Sequence, residues 1–238
     1  LLTNKGVNAD YVRQIINLTQ TTSGSYLLLA SLDISRRNLA LRGEESFAKV
    51  MDMAEYARRE INEIGGYYAY GTSVYDYDVT KLSVHTLGLG LAGIEVYDLL
   101  RDEYDIQIEF GDVSNILAYI SIGDRLQDIE RLVGALADIA RIYKKDSTGM
   151  LSGEFISPIV ARSPQEAFYS AKESLPVEKT EGRISGEFVM CYPPGIPILA
   201  PGEMITDEII QYILYVKEKG CSMQGTEDKS VNKLKVLV

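Results

Sequence analysis

The sequence predicts a mixed fold, in which a small α/β part is followed by an α+β part. Three observations support this. Apolar residues recur at helical spacing through about the first 64 positions. Helical and strand spacings then alternate between residues 81 and 143. After residue 149 the residue composition changes again, with Pro158, Pro164 and Pro176 close together. We therefore expect helices first, then an α/β unit, then a further domain.

The N-terminal part is predicted to be helical from residue 10 to residue 42, with one interruption. The interruption is the hydroxyl-rich stretch 20–25, which suits a helix N-terminus because side-chain oxygens can accept from free backbone N–H groups. A new helix is expected to start at 43–46, and Gly65 and Gly66 are expected to end it.

The middle part alternates between the two spacings. Gly123 and Asp124 are expected to form the turn between its last strand and its last helix, with Asp124 as the N-cap of that helix. The expected elements are strands at 82–87, 106–110 and 116–122, and helices at 94–104 and 126–143.

A domain boundary is expected at about residues 144–149. Beyond it, Ser163 and Glu166 form a capping box that starts a short helix. The remaining predicted elements are a strand at 183–190, a proline-rich loop at 191–201, a helix at 206–219 that Gly220 ends, and a strand at 233–238.

Composition excludes several classes of protein. The net charge of −10 argues against a nucleic-acid surface, because phosphate binding needs clustered Lys and Arg. No apolar run approaches the length needed to cross a bilayer, so no membrane partner is expected. Two cysteines, Cys191 and Cys221, make no disulfide framework and match no zinc pattern, which favours buried thiols in a reducing cytoplasm.

A glycine motif spans residues 88–93 (GLGLAG). It follows a predicted strand, opens a predicted helix, and precedes Glu109 by about twenty residues, which is the written form of a dinucleotide fingerprint. The alternative is a tight strand-to-helix turn in a small α/β domain. That alternative is favoured, because the motif lies mid-chain with too few strands after it.

Catalytic motifs based on histidine or metal are weak here. His85 is the only histidine and offers no ligand geometry, so a satisfied strand histidine is expected. Two carboxylates, Glu109 and Asp112, lie at a predicted strand end beside a glycine turn, where a small domain can present charge to a ligand.

Residues 186–203 form the most distinctive stretch. They contain a rigid proline-rich loop that ends in Pro201-Gly202-Glu203 before a helix. This loop resembles the C-terminal domain of the ornithine/lysine/arginine decarboxylase family. Other segments agree in the same order: 21–33, 93–100, 110–112 and 163–168. The likeness spans nearly the whole chain and is greatest to the shorter, biosynthetic arginine decarboxylases of bacteria.

The resemblance implies a fold of the aspartate-aminotransferase type. Residues 1–42 would be the exit segment of the large cofactor domain, 43–145 the small α/β domain, and 146–238 the C-terminal α+β decarboxylase domain. It also assigns the glycine motif to a turn of the small domain.

The resemblance also implies pyridoxal phosphate as cofactor and a basic amino acid as substrate. The Schiff-base lysine of the family lies in a Ser-x-His-Lys segment, which this chain lacks and which is expected upstream of Leu1. The chain alone is therefore expected to be inactive, and its first partner is the N-terminal half of the same protein.

Several residues match family positions near the active site. Thr22 and Ser23 match a pair near the cofactor phosphate that reaches into the neighbouring subunit's site, although Gly24 stands where the family usually has proline. Glu109 matches a carboxylate near the distal cation of the substrate. Asp112 and Glu203 are further expected members of the same cleft.

The leading hypothesis is a homodimeric, or higher oligomeric, arginine decarboxylase that yields agmatine for polyamine synthesis. Three alternatives remain at this point: decarboxylation of lysine or ornithine, a non-catalytic partner or assembly fragment, and a dinucleotide-binding domain.

Overall fold

A computed structural model describes residues 6–71, 77–147, 156–192 and 194–238. The chain divides into two compact units, Leu1–Ala48 and Lys49–Val238. Helices come first along the chain and helices mixed with strands follow, as the sequence predicts. No result tests the predicted domain boundaries, so they stay predictions.

The first unit is helical. Helix α1 (Ala9–Thr19) begins where the Asn8 side chain accepts hydrogen bonds from the backbone N–H of Asp10 (2.9 Å) and Tyr11 (3.3 Å). None of its residues is buried. Helix α2 (Tyr26–Ile64) begins in this unit, after the hydroxyl-rich stretch that the sequence marked as a helix start.

The predicted break near residue 43 is wrong, because α2 continues through it without interruption. A glycine inside a helix costs only about 1 kcal/mol. The flanking residues Leu39, Ala40, Leu41 and Glu44 favour helix, and no proline intervenes. In the second unit α2 buries Val50, Ala54, Ala57 and Ile61, at the three- and four-residue spacing of one helix face.

An antiparallel sheet forms the first half of the second unit, with the order β1-β2-β4-β3. Its strands are β1 (Tyr68–Ala69), β2 (Lys81–His85), β3 (Phe110–Gly111) and β4 (Asn115–Tyr119). The register pairs Lys81 with Tyr119 and His85 with Asn115. Helices α3 (Gly93–Tyr104) and α4 (Leu126–Ile142) complete this half. Its core includes Leu82, Leu89, Leu100, Leu136 and Ile139, all fully buried.

Two local predictions in this half need correction. The strand expected at 106–110 is reduced to Phe110–Gly111. The N-cap of α4 is Arg125 rather than Asp124. The Asp124 carboxylate instead accepts from the Ser121 N–H (2.6 Å), while Asp128 accepts from the Arg125 N–H (3.0 Å), so each acid closes its own three-residue turn.

The C-terminal half contains two small antiparallel sheets. In the first, β5 (Lys172–Pro176) pairs with β9 (Lys233–Leu237), and in the second the order is β7-β6-β8. The second sheet comprises β6 (Val189–Tyr192), β7 (Ile196–Leu199) and β8 (Ser222–Gln224). Helix α6 (Asp207–Glu218) starts at its N-cap Thr206 and buries Ile209, Ile210 and Ile213.

The capping box of α5 (Pro164–Tyr169) is confirmed. The Ser163 hydroxyl accepts from the Glu166 N–H (3.2 Å), and the Glu166 carboxylate accepts from the Ser163 N–H (2.9 Å).

The proline-rich segment 191–201 is not a loop, as predicted, but part of a hairpin between β6 and β7. Gly195, at φ +88°, allows the reversal because it has no Cβ. Proline is tolerated in β7, since Pro197 lies on an outer strand of this three-stranded sheet. The strand expected at 183–190 begins only at Val189, and residues 184 and 185 make isolated bridges.

An apolar cluster lies between the two halves of the second unit. It joins Ala92, Ile94 and Val113 with Cys191, Val216 and Cys221. Within the part of the chain that the structure describes, no helix has both the length and the apolar character needed to cross a membrane.

Candidate functional site

Thr22 and Ser23 lie in the exposed stretch between the end of α1 and the start of α2. Gly24 and Ser25 separate them from the first turn of α2, where backbone N–H groups have no partner within the helix. This first turn carries no acidic residue. The local arrangement therefore favours an anion through hydroxyls, N–H groups and the positive end of the helix dipole.

The start of α3 has the opposite character. The Ala92 N–H donates to the Glu95 carboxylate (2.8 Å), and the Ile94 N–H donates to the Asp112 carbonyl (2.8 Å). Lys145 further pairs with Glu95 (2.8 Å). A carboxylate of the protein thus already occupies the position that a phosphate would take.

Backbone packing explains the glycine motif. A Cβ on Gly88 would lie 2.6 Å from the Gly66 carbonyl oxygen, one on Gly90 2.5 Å from that of Lys145, and one on Gly93 2.0 Å from that of Asn115. The neighbouring sheet is antiparallel, whereas the dinucleotide fingerprint belongs to a parallel βαβ unit. The dinucleotide interpretation is therefore not supported, and the tight-turn alternative describes the motif.

Glu109 lies just before β3, exposed at the edge of the sheet. It lines a cleft of about 370 Å³ whose walls are the segment before β3, the end of β4 and the first turns of α4. The other lining residues are mostly apolar or charged: Asp105, Ile106, Gln107, Ile108, Ala118, Tyr119, Ile120, Asp124, Asp128, Ile129, Arg131 and Leu132. Glu109 thus contributes one of several carboxylates to a cleft with an apolar floor.

Arg131 is a part of this cleft that sequence reasoning missed. Its guanidinium donates to the Asp105 carbonyl (3.1 Å) and to that of Tyr104. No spacing signal along α4 marks it, because residues two apart, such as Ile129 and Arg131, do not share a helix face.

Asp112 is engaged in a turn. Its Oδ1 accepts from the backbone N–H groups of Ser114 and Asn115, each at 2.7 Å. These bonds hold the turn between β3 and β4, as an aspartate commonly does. Asp112 is half-buried and does not line the cleft that contains Glu109.

Glu203 is likewise held locally, in the C-terminal half. Its Oε2 accepts from the Ala200 N–H (2.8 Å), and its carbonyl accepts from the Ser185 N–H (2.8 Å). It follows Gly202, at φ +94°, whose added Cβ would lie 2.3 Å from the Arg162 carbonyl oxygen. The Pro-Gly-Glu motif therefore has a structural role as a fixed turn, and the cleft with Glu109 does not include Glu203.

His85 is a half-buried strand residue, as the sequence predicts. Its Nδ1 lies 3.3 Å from the Asn115 side-chain oxygen across the β2–β4 pair. Among residues 6–71, 77–147, 156–192 and 194–238, no group of three or more His, Cys, Asp or Glu side chains is placed to hold a metal ion.

Comparisons with known proteins agree with the likeness read from the sequence. Residues 153–229 match the family described as "Orn/Lys/Arg decarboxylase, C-terminal domain". Two relatives are named arginine decarboxylase: that of Bacillus subtilis is 39% identical over 97% of this chain, and that of Halalkalibacterium halodurans is 40% identical over 97%. The chain spans 49% of the length of each.

Lysine decarboxylases are also similar. The constitutive lysine decarboxylase of Escherichia coli is 30% identical over 43% of this chain and 15% of its own length. Its solved structure matches with a TM-score of 0.72 at 18% identity, over 98% of this chain and 46% of that one. That structural likeness shows a shared fold.

The class of protein follows from the matched domain and this shared fold. Residues 153–229 match the C-terminal domain of the ornithine, lysine and arginine decarboxylase family, and the resemblance indicated by the sequence is confirmed. Within that family, the chain is similar over nearly its whole length to proteins named arginine decarboxylase.

Proposed function

We propose that the complete protein is a pyridoxal-phosphate-dependent decarboxylase that converts arginine to agmatine in the cytoplasm. The observation that carries the proposal is the reach of the similarity. Proteins named arginine decarboxylase match 97% of the chain at 39–40% identity, whereas the lysine decarboxylase matches 43% at 30% identity. The similarity to arginine decarboxylases therefore extends well beyond the C-terminal domain.

The test is an assay of the complete protein on arginine, lysine and ornithine. We expect carbon dioxide release from arginine with the highest kcat/KM of the three. A higher kcat/KM on lysine or ornithine would replace arginine as the substrate, and release from none of them would overturn the proposal.

The fold proposal divides the chain into three parts. Residues 1–42 leave the large cofactor domain, residues 43–145 form the small domain of the aspartate-aminotransferase type, and residues 146–238 form the C-terminal domain. The four-stranded sheet with α3 and α4 supports the assignment of the middle part.

The residues present at the start of α2 suit the phosphate of the cofactor. Thr22 and Ser23 supply two exposed hydroxyls, and the first turn of α2 adds N–H donors without a competing carboxylate. Pyridoxal phosphate, when bound, supplies the sink for the electron pair that is released as the α-carboxylate leaves. The role of Thr22 and Ser23 is to hold its phosphate and thereby fix its orientation.

We expect Thr22→Ala combined with Ser23→Ala to weaken pyridoxal phosphate binding about 10- to 100-fold, because two hydrogen bonds to a charged phosphate are lost. The measurement is the dissociation constant of the cofactor in the complete protein. Ser31→Ala is the matched control, since the Ser31 hydroxyl donates to the Leu28 carbonyl (2.8 Å) within the same helix. Equal constants for the two variants would contradict the assignment.

Glu109 is the carboxylate best placed to meet a guanidinium. It is exposed and lies in a cleft, and within the described part of the chain its carboxylate accepts no turn N–H, in contrast to those of Asp112 and Glu203. A guanidinium offers a planar fork of donors that a carboxylate can accept in pairs. Asp112 and Glu203 would instead fix the turns in which they lie.

We expect Glu109→Gln to raise KM for arginine about 10- to 100-fold, with a smaller change in kcat, because a charge-assisted hydrogen bond to bound substrate is lost. Steady-state kinetics of the complete protein provide the measurement. Glu130→Gln on α4 is the control, because Glu130 is exposed but does not line the cleft. An unchanged KM in Glu109→Gln would remove Glu109 from the substrate site.

The partners proposed for the first unit are the N-terminal half of the same protein and a second subunit. Helix α1 has no buried residue, and α2 exposes a run of large apolar side chains at its start: Tyr26, Leu27, Leu28, Leu29 and Leu32. Apolar surface of this extent is typical of an interface. A dimer or a multiple of one in sedimentation of the complete protein is expected, and a monomer would contradict it.

A further inference from the structure

The two cysteines lie on the same face of one sheet. Strand β6 pairs with β8 so that Cys191 lies opposite Met223 and Tyr192 opposite Ser222. Cys221 directly precedes β8. Because side chains alternate between the faces of a sheet, Cys191 and Cys221 are diagonal neighbours on one face. Both are nearly buried in the cluster between the two halves of the second unit.

Cys221 lines a surface cleft, and Cys191 does not line that cleft. The cleft has a volume of about 660 Å³, and Lys217 and Lys229 contribute positive charge to its walls. The Lys217 ammonium donates to the Asn232 side chain (2.7 Å), which holds it beside the cleft. The two cysteines are similarly buried, at 8% and 7% exposure, and the cleft gives a small reagent an approach to Cys221.

The electrostatics distinguish the two thiols. A hydrogen bond from the Cys191 thiol lowers the pKa of Cys221, against the opposing effects of burial and of Asp112. The same bond, together with burial, raises the pKa of Cys191. Cys221 is thus the thiol that ionises first, and the thiolate is the reactive form of cysteine.

We propose that Cys221 and Cys191 form a reversible redox modification site, in which Cys221 reacts with a hydroperoxide and Cys191 resolves the product as a disulfide. This inference does not depend on the decarboxylase activity. It assigns a chemical use to a pair of side chains that the proposed function leaves unused.

The chemistry takes two balanced steps. The Cys221 thiolate attacks one oxygen of the hydroperoxide, the O–O bond breaks, and the other oxygen leaves as an alcohol or water after taking a proton; Cys221 becomes a sulfenic acid. The Cys191 sulfur then bonds to the Cys221 sulfur, and the sulfenic oxygen leaves as water with the Cys191 proton. The two thiols lose two electrons, and the hydroperoxide gains them.

The backbone has a place to move as the bond forms. Diagonal neighbours are slightly too far apart for an unstrained disulfide, so one segment must approach the other. Cys221 follows Gly220, which ends α6 at φ +80° with no heavy atom within 4 Å of an added Cβ. A glycine at this turn has the backbone freedom that such an approach requires.

Tryptic mapping of the complete protein after exposure to hydrogen peroxide tests the proposal. Trypsin separates the two cysteines into the peptides 184–217 and 220–229. We expect the two peptides to become linked within one chain, with the loss of two hydrogen masses, and to separate again on reduction with dithiothreitol. Unlinked peptides, or links between chains only, would overturn the inference.

Two variants test the order of the steps. In Cys191→Ser, Cys221 should accumulate as a sulfenic acid that dimedone traps. In Cys221→Ser, peroxide should consume the Cys191 thiol at least about tenfold more slowly than it consumes the thiols of the wild type. Equal rates of loss of the Cys191 thiol in Cys221→Ser and in the wild type would overturn the assigned order. If either variant folds poorly, the peptide mapping of the wild type still decides whether the disulfide forms.

Discussion

Replacing Gly93 with alanine is expected to lower the free energy of unfolding by about 3 kcal/mol, near the upper end of the usual cost of overpacking. The new Cβ would lie 2.0 Å from the Asn115 carbonyl oxygen and 2.7 Å from that of Asp112. Both neighbours are backbone atoms, and Asn115 is fixed in β4 by its pairing with His85. Helix α3 would have to move away from the sheet to relieve the contact.

Urea unfolding of the purified chain measures this effect. Gly134→Ala is the matched control, because Gly134 lies inside α4 with nothing within 4 Å of an added Cβ. That change should stabilise the helix by up to about 1 kcal/mol. Similar free energies for the two variants would show that the close approach of α3 to β4 is absent. A stable Gly93→Ala would also reopen a ligand role for the glycine motif.

Replacing Arg58 with methionine is the second change with a large expected effect: it should lower the free energy of unfolding by about 3 kcal/mol. Arg58 is 4% exposed and lies on α2, beside the residues that follow β1 and those that begin β2. Its guanidinium donates to the carbonyls of Tyr70 (2.9 Å), Val79 and Lys81 (3.2 Å), and the Tyr77 ring lies 5.3 Å from its central carbon. Methionine fills similar space but leaves these carbonyls without their donor.

Arg59 provides the control at the next position. Its side chain is exposed, pairs with Glu60 (3.4 Å) and lies 5.6 Å from the centre of the Tyr56 ring, so Arg59→Met should change the free energy of unfolding by less than about 0.5 kcal/mol. Chemical unfolding of the two variants under identical conditions gives the comparison. If Arg58→Met lowers the free energy of unfolding no more than Arg59→Met does, the hydrogen bonds of Arg58 to the carbonyls of Tyr70, Val79 and Lys81 do not stabilise the fold.

The cleft that contains Glu109 illustrates what a residue pattern can and cannot indicate. The sequence placed Glu109 near the end of a strand at 106–110, whereas the structure places it just before β3, exposed at the edge of the sheet. Asp112 and Glu203 have the same chemistry, yet both carboxylates accept backbone N–H groups within their own turns. Whether a carboxylate faces a ligand or a turn depends on which backbone donors lie nearby, and the pattern does not specify them.

The sequence by itself determined the elements that local chemistry decides. Helical periodicity predicted α3, α4 and α6, the capping box predicted the start of α5, and Gly220 predicted the end of α6. It also indicated the resemblance to the decarboxylase family, through the motif that ends in Pro201-Gly202-Glu203, and the match of residues 153–229 agrees with it.

Only the tertiary structure decided the features that join distant parts of the chain. It paired β5 with β9, folded the proline-rich segment into the β6–β7 hairpin, and brought Cys191 beside Cys221. It also gave each glycine of the 88–93 motif its reason, a backbone neighbour from another element. The physical cause is the same in each case: strand pairing and close backbone approach depend on groups far apart in sequence, whereas periodicity and capping act within one or two turns.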